Sequence, residues 1–89
     1  MNGFDLSGRV AVITGGGSGL GRAIGIGVAQ AGVTVVLADV NDEGNAESVA
    51  RIEAQGPRAT AVHLDVTDRE AVELLAVQVT AEHGHVDIL

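Results

Sequence analysis

The sequence predicts an α/β fold, a doubly wound parallel sheet with helices on both faces. Strand-like and helix-like segments alternate along the whole chain, and no linker, repeat or low-complexity tract interrupts them. Apolar residues form 46% of the 89 residues but aromatic residues only 1%, so the core must consist of Val, Ile, Leu and Ala. Continuous β-branched runs are typical of strands buried on both faces. We therefore expect residues 1–89 to form a single domain.

The first part of the chain predicts a strand, a helix and a second strand. Arg9 to Thr14 is an apolar run that ends in glycines, and Val33 to Ala38 is a second run that ends at Asp39. Gly32 is expected to end the intervening helix as its C′ residue. The apolar residues at helical spacing in that helix are Leu20, Ile24, Gly27, Val28 and Ala31. Because a helix connects the two strands, they should pair in parallel.

The next segment predicts a second helix and a third strand. Asn41 can cap a helix that runs to about Gln55 and stops at Gly56-Pro57. Its expected apolar side is Ala46, Val49, Ala50 and Ile52. Ala59 to Leu64 is the third strand.

Thr67 to Glu70 has the sequence of a capping box and should start a third helix that ends at Gly84. The apolar stripe of this helix is Val72, Leu75, Ala76 and Val79. Val86 to Leu89 then opens a fourth strand, at which we expect the fold to be truncated. The expected strand order is 3-2-1-4, which places a ligand crevice at the carboxyl ends of the first and fourth strands.

Charge and composition exclude several classes of function. The net charge of -7 opposes binding to nucleic acid or to an anionic membrane, and the chain has no Cys for disulfides or thiol chemistry. Neither a signal peptide nor a membrane span is recognisable, so a cytoplasmic location is expected. His63, His83 and His85 lack the spacing of helical metal ligands, and we assign no metal site.

Residues 15–21, with the sequence GGGSGLG, join the first strand to the first helix. Gly15 permits a tight turn, Gly19 lets backbone approach a pyrophosphate, and Gly21 allows close contact of helix and sheet. The helix N-terminus would attract phosphates, and Ser18 adds a hydroxyl donor. The alternative is a glycine-rich turn without a ligand. The strand before, the helix after and Asp39, 18 positions beyond Gly21, favour dinucleotide binding.

Asp39 should point toward the same crevice and accept hydrogen bonds from both hydroxyls of the adenosine ribose. Its carboxylate would repel a 2′-phosphate, and Val40 and Ser18 offer no cation, so NAD is preferred over NADP. Arg22 could in principle supply a cation for NADP, but one turn into the helix it is expected at the surface. The alternative for Asp39 is a carboxylate that merely ends a strand in solvent.

The chain resembles the short-chain dehydrogenase/reductase family, a group with a Rossmann-type fold. Thr14, Gly15, Gly19 and Gly21 match its motif Thr-Gly-x-x-x-Gly-x-Gly in full. The resemblance extends through Leu64-Asp65-Val66, where it implies that the aspartate contacts the adenine amino group and that the next amide helps to hold the ring. Asp65 could also simply orient the turn before the third helix, and the two roles are compatible. The predicted cofactor-binding residues are Gly15, Gly17, Ser18, Gly19, Leu20, Gly21, Asp39, Val40, Leu64, Asp65 and Val66.

The resemblance implies hydride transfer between NAD(H) and a small alcohol or carbonyl substrate, in a homo-oligomer. The family places its Asn, Ser and Tyr-x-x-x-Lys active site further along the chain, and this sequence contains no Tyr and no Lys. We therefore expect the 89 residues to be the NAD-binding half-domain of a longer oxidoreductase, inactive alone. The alternative is a stand-alone dinucleotide-binding module or an inactive fragment that associates through its open sheet edge. An S-adenosylmethionine-binding domain would lack the glycine spacing seen here.

Overall fold

The computed structural model describes residues 8–84, which form one parallel sheet with helices on both faces. The elements in chain order are β1 (Val10–Thr14), α1 (Gly19–Gln30), β2 (Thr34–Asp39), α2 (Asp42–Glu53), β3 (Ala59–His63) and α3 (Arg69–His83). β2 lies between β1 and β3, and both pairings are parallel. This is the 3-2-1 part of the predicted order. The predicted fourth strand at residues 86–89 lies outside the described residues and stays a prediction.

The two faces of the sheet are covered by different helices, because successive side chains of a strand point to opposite sides. One apolar cluster lies under α1 and α2 and contains Ala11, Ile13, Ala29, Val33, Val35, Leu37 and Ile52. The other lies under α3 and contains Val10, Val12, Val36, Ala38, Leu64, Leu75 and Val79. The sheet is therefore the middle of three layers. Within residues 8–84, no helix has both the length and the apolar character that crossing a membrane requires.

The predicted apolar stripe of α1 is correct only in part: Val28 packs against the apolar cluster on the sheet, but the start of the stripe does not. Leu20 is 75% exposed and Ile24 is 45% exposed, whereas Gly25 and Ala29 are buried. A Cβ on Gly25 would lie only 3.1 Å from the Leu37 Cδ2 atom, so the helix lies too close to β2 for a large side chain between them. The prediction failed at its first two positions because small residues form the closest contacts of α1 with the sheet.

The buried side of α2 also differs from the prediction. Ala46 and Ala50 are exposed, and the buried residues are Asn45, Ser48 and Ile52, which recur at helical spacing. Two of these three side chains are polar because α2 packs there against the backbone of the glycine-rich loop (residues 15–18) and of the strands β2 and β3. That backbone offers carbonyl oxygens to bind.

Three predicted helix ends are confirmed. Gly32 directly follows Ala31, the C-cap of α1, and has φ +97°, as expected of a C′ glycine. Asn41 is the N-cap of α2, and its Oδ1 accepts a hydrogen bond from the Gly44 amide at 3.0 Å. Gly84 follows α3 with φ +83°, the left-handed conformation that favours glycine at this position.

The capping box predicted at residues 67–70 is wrong. Asp68 is the N-cap of α3, and its Oδ1 accepts from the Ala71 amide at 3.1 Å. The Thr67 hydroxyl instead donates to Asp65 Oδ1 at 2.7 Å. Because the Asp65 carboxylate engages that hydroxyl, α3 begins one residue later than the capping box requires.

Candidate functional site

The three predicted site segments meet at one edge of the sheet. The glycine-rich loop, residues 15–18, follows β1, Asp39 ends β2, and Asp65 follows β3. The Leu64 amide donates to the Asp39 carbonyl oxygen at 3.1 Å and extends the pairing of β2 and β3 to this edge. The carboxyl ends of parallel strands thus bring together residues far apart in sequence, as ligand sites of such sheets require.

The backbone of the glycine-rich loop takes the predicted tight turn. Gly15 has φ +72°, and its amide donates to the Ala38 carbonyl oxygen at 2.8 Å. A Cβ on Gly21 would overlap the Gly15 carbonyl oxygen and lie 2.6 Å from the carbonyl carbon, so the first turn of α1 rests directly on the loop. A Cβ on Gly19 would meet nothing within 4 Å, and its φ of +53° is left-handed. The space beside Gly19 is therefore open to a ligand.

The middle of the loop packs against β2 and needs glycine for that reason. A Cβ on Gly16 would lie 2.8 Å from the Leu37 Cβ atom, and one on Gly17 would lie 2.7 Å from Asp39 Oδ2. Side chains at these positions would push the loop away from the sheet.

The half-buried Asp39 carboxylate points at the loop. Its Oδ2 accepts from the Gly17 amide at 2.9 Å, and its Oδ1 accepts from the Asn41 amide at 3.0 Å. The hydrogen bonds from the Asn41 and Gly17 amides hold the pKa of Asp39 below its ordinary value, against a smaller opposing effect of burial. Asp39 therefore carries its negative charge at neutral pH, beside the loop. Asp39 thus contacts the loop, and its contact with a ribose stays a prediction.

The N-terminus of α1 differs from those of the other two described helices. Its N-cap, Ser18, makes no side-chain cap hydrogen bond, and its first turn has no acidic residue. The α2 and α3 helices have side-chain caps from Asn41 and Asp68 and acidic residues in their first turns. The free amides and positive dipole end of α1 thus have no anionic side chain in that turn to compensate them.

Arg22 was predicted to lie on the helix surface, and this prediction is wrong. Its side chain is only 17% exposed, and its Nε donates to Ser48 Oγ at 2.8 Å. Its Nη2 donates to the carbonyl oxygens of Gly17 at 2.8 Å and Gly44 at 3.2 Å, and lies 3.0 Å from Glu47 Oε2. The prediction failed because Gly44 and Ser48 let α2 approach the loop closely enough to enclose the guanidinium.

Asp65 has the turn role that was considered for it. Its Oδ1 accepts from both the amide and the hydroxyl of Thr67, at 2.9 and 2.7 Å, and these bonds hold the pKa of Asp65 below its ordinary value. Val66 and Val40 are 58% and 56% exposed at the same edge. Leu64 is only 4% exposed, so contact with a ligand through its side chain is excluded and only its backbone is available. The adenine contact of Asp65 stays a prediction.

A cavity of about 530 Å³ lies beside the loop, at the start of α2. It is lined by Gly17, Ser18, Arg22, Asn41, Glu43, Gly44 and Glu47. The Arg51 hydrogen bond, together with the charges of Arg22 and Arg51, holds the pKa of Glu47 below its ordinary value. The cavity thus contains two carboxylates, Glu43 and Glu47, and one guanidinium, Arg22, which already has four partners within the protein.

Sequence reasoning missed Arg22, Asn45 and Ser48. Asn45 Nδ2 donates to the carbonyl oxygens of Leu37 at 2.8 Å and Val62 at 3.3 Å, which ties α2 to both strands. The signal available was the helical spacing of Asn45, Ser48 and Ile52, which marks a partly polar contact face. In the described part of the chain, no three His, Asp or Glu side chains converge on a metal-sized site.

The family model described as short chain dehydrogenase matches residues 9–89. The chain belongs to the short-chain dehydrogenase family. It is 37% identical over 86 residues to the short chain dehydrogenase/reductase astE of Aspergillus oryzae, covering 96% of this chain and 33% of the relative. It is 41% identical over 81 residues to 1-deoxy-11-beta-hydroxypentalenate dehydrogenase of Streptomyces exfoliatus, covering 91% of this chain and 30% of the relative. The predicted resemblance is confirmed.

Solved structures agree with the family assignment. A hydroxysteroid dehydrogenase from Escherichia coli superposes with TM-score 0.89 at 38% identity, covering 96% of this chain and 36% of that one. A metagenomic short-chain oxidoreductase in complex with NADP superposes with TM-score 0.90 at 36% identity, covering 94% and 38%. The chain thus spans about a third of the length of these four proteins. The short-chain dehydrogenase family binds a nicotinamide dinucleotide, and this supports the nucleotide-binding interpretation of the site.

Proposed function

We propose that this chain is the NAD(H)-binding part of a short-chain oxidoreductase that transfers hydride between NAD(H) and a small alcohol or carbonyl substrate. The observation that carries the proposal is the placement of an ionised Asp39 against the glycine-rich loop, next to the uncapped N-terminus of α1. These are the two groups that a dinucleotide needs: a carboxylate for the ribose and free amides for the diphosphate.

The diphosphate is proposed to lie against the start of α1. The amides of the first helical turn have no intrahelical partners, and the hydroxyl of Ser18 is not used as a cap. Gly19 leaves the space in front of them open, and Leu20 is exposed there. An anion at this position would gain from both the amides and the helix dipole.

The preference for NAD over NADP is proposed from the charges around Asp39. A 2′-phosphate on the adenosine ribose would meet the Asp39 carboxylate, and the exposed neighbour Val40 supplies no cation. Arg22 lines the adjacent cavity, but its guanidinium is engaged by α2 and the loop, and Glu47 lies 3.0 Å from it. One structural relative was solved with NADP, so the preference depends on these particular residues of this chain.

Isothermal titration of the purified protein with NAD and NADP tests the preference. The wild type should bind NAD at least about tenfold more tightly than NADP, because a doubly charged phosphate placed near a carboxylate costs about 1.4 kcal/mol or more. Asp39→Asn should narrow the ratio, since it removes the charge and keeps an oxygen acceptor. Glu53→Gln, which removes the same charge at the far end of α2, should leave the ratio unchanged. Equal affinity of the wild type for both cofactors would defeat the NAD preference.

Catalysis is proposed to need residues beyond those present here. The 89 residues include neither the Tyr nor the Lys that the family uses for proton transfer. These residues alone should therefore bind NADH without oxidising it when aldehyde or ketone substrates are added. Steady consumption of NADH by the 89-residue polypeptide would contradict this.

A further inference from the structure

We propose that Arg22 is a positioning residue for the cofactor, which fixes the orientation of the peptide groups in the glycine-rich loop by holding the loop against α2. This inference rests on the proposed function, because it concerns how the loop presents its amides to a dinucleotide. Arg22 acts through the loop backbone and does not itself contact the ligand.

One guanidinium joins three segments of the chain. It lies on α1, donates to Gly17 in the loop at 2.8 Å, and donates to Ser48 and Gly44 on α2 at 2.8 and 3.2 Å. The fully buried Ser48 hydroxyl in turn donates to the Gly16 carbonyl oxygen at 2.6 Å. Both consecutive loop carbonyls are therefore bound from the same side, by Arg22 and by its neighbour Ser48.

Binding these carbonyls also decides where the loop amides point. In a trans peptide the carbonyl and the amide of the same plane point in opposite directions. The Gly16 carbonyl binds Ser48, so the Gly17 amide of that plane points the other way, where it donates to Asp39 Oδ2 at 2.9 Å. The Gly17 carbonyl binds Arg22, so the Ser18 amide points away from α2 and its carboxylates.

The loop cannot hold this orientation by itself. Residues 15–17 are three consecutive glycines, which have the widest conformational freedom of any residue. Rotation of the Gly17–Ser18 peptide plane would turn a carbonyl oxygen toward the place where an anionic ligand needs an amide. Arg22 opposes that rotation with a charge-assisted hydrogen bond.

The neighbours of Arg22 distinguish positioning from direct ligation. Gly44 permits the close approach, since a Cβ there would overlap the Gly17 carbonyl oxygen. Glu47 lies 3.0 Å from Nη2 and offsets the positive charge of Arg22, which would otherwise attract a 2′-phosphate. A residue with this role supports NAD and NADP equally, whereas a residue that binds the 2′-phosphate supports NADP alone.

Titration of Arg22→Ala with both cofactors tests the proposal. We expect NAD affinity to fall by about tenfold or more, the factor for losing a hydrogen bond made by a charged group, and NADP affinity to fall by the same factor. Arg22→Lys should recover part of the loss. Arg51→Ala is the matched control, because Arg51 also pairs with Glu47, at 3.2 Å, but is 54% exposed and does not touch the loop. It should bind NAD as the wild type does.

Amide hydrogen exchange separates loop positioning from general destabilisation. In Arg22→Ala the Gly17 amide should exchange faster while the Leu37 amide in the central strand keeps its protection. Equal acceleration at both amides, unchanged NAD affinity, or a loss confined to NADP would each overturn the proposal. If Arg22→Ala does not fold, Ser48→Ala serves instead, because it removes the hydrogen bonds of the Ser48 hydroxyl to the Gly16 carbonyl and to Arg22. The same results then support or overturn the proposal. A wild type that binds neither cofactor defeats the proposed function, but the exchange comparison still decides whether Arg22 orders the loop.

Discussion

The contact between Gly21 and the loop gives the sharpest test of the fold at the site. Gly21→Ala would place a Cβ 2.6 Å from the Gly15 carbonyl carbon and 3.1 Å from the Gly16 amide nitrogen, and would overlap the Gly15 carbonyl oxygen. Ordinary contacts between carbon atoms are about 3.5–4.0 Å, so the helix and the loop must separate by roughly 1 Å. The obstructing atoms all belong to the backbone, which cannot move aside as a flexible side chain can.

The expected cost follows from two opposing effects. Overpacking costs about 1–3 kcal/mol, and a backbone obstruction of this depth belongs at the upper end of that range. Replacing a helical glycine with alanine recovers about 1 kcal/mol of helix propensity. The free energy of unfolding should therefore fall by about 2 kcal/mol in Gly21→Ala.

Gly27→Ala is the matched control on the same helix. Gly27 is exposed, and a Cβ there meets nothing within 4 Å. This variant should gain about 0.5–1 kcal/mol from helix propensity alone. The two variants should thus differ by about 3 kcal/mol in urea unfolding, or roughly 12–24 °C in Tm for a domain of this size. Gly21→Ala as stable as Gly27→Ala would refute the contact, and with it the position of α1 on the loop.

Three further predictions concern the carboxylates and the buried polar residues. Because the pKa of Asp39 is lowered in the folded protein, its ionised form stabilises the fold fully above the unfolded-state pKa of about 4, and this stabilisation is lost as the pH falls through the folded-state pKa. The free energy of unfolding in urea should therefore fall more steeply below about pH 4 for the wild type than for Asp39→Asn. Parallel pH profiles of the two proteins would contradict this. Asp68→Ala should lower the free energy of unfolding by about 1 kcal/mol because it removes the N-cap of α3, and Glu70→Ala should lower it by less than half as much. Comparable losses for the two variants in urea unfolding would instead support the capping box at residues 67–70. Asn45→Ala should lower the free energy of unfolding by about 1–3 kcal/mol, since it removes a buried donor shared by two strand carbonyls. The control Ala46→Ser, at the exposed neighbouring position, should change it by no more than about 0.5 kcal/mol. Equal thermal stability of the two variants would disprove the bridging role of Asn45.

The strands and the place where the candidate site segments meet could be predicted from sequence because local residues encode them. The apolar runs ending at Thr14 and Asp39 specify two parallel strands, and their carboxyl ends must meet at one edge of the sheet. The glycine at position 15 marks a turn that requires positive φ. The contact between Asp39 and the loop follows from these features together.

The faces of the helices and the role of Arg22 could not be predicted in the same way. Hydrophobic periodicity favours large apolar residues, so it placed Leu20 and Ile24 on the contact face of α1, although the buried residues of that helix are Gly25 and Ala29. The partners of Arg22 on α2 lie 22 to 26 positions away in sequence. Only the packing of α2 on the loop, which depends on the lack of a side chain at Gly44, brings them within reach.

Asp39 and Arg22 hold the loop from opposite sides, and this determines how cofactor binding must be measured. Substitution of either residue loosens the loop, and because NAD and NADP share the same diphosphate, loosening weakens both by the same factor. That factor cancels in the ratio of the two affinities, which then reports only the charge beside the ribose. Asp39→Asn should change the ratio, Arg22→Ala should change the affinities without the ratio, and the double variant should show the ratio of Asp39→Asn alone. A ratio in the double variant that departs from that of Asp39→Asn would mean that Arg22 contacts the 2′-phosphate once Asp39 no longer repels it.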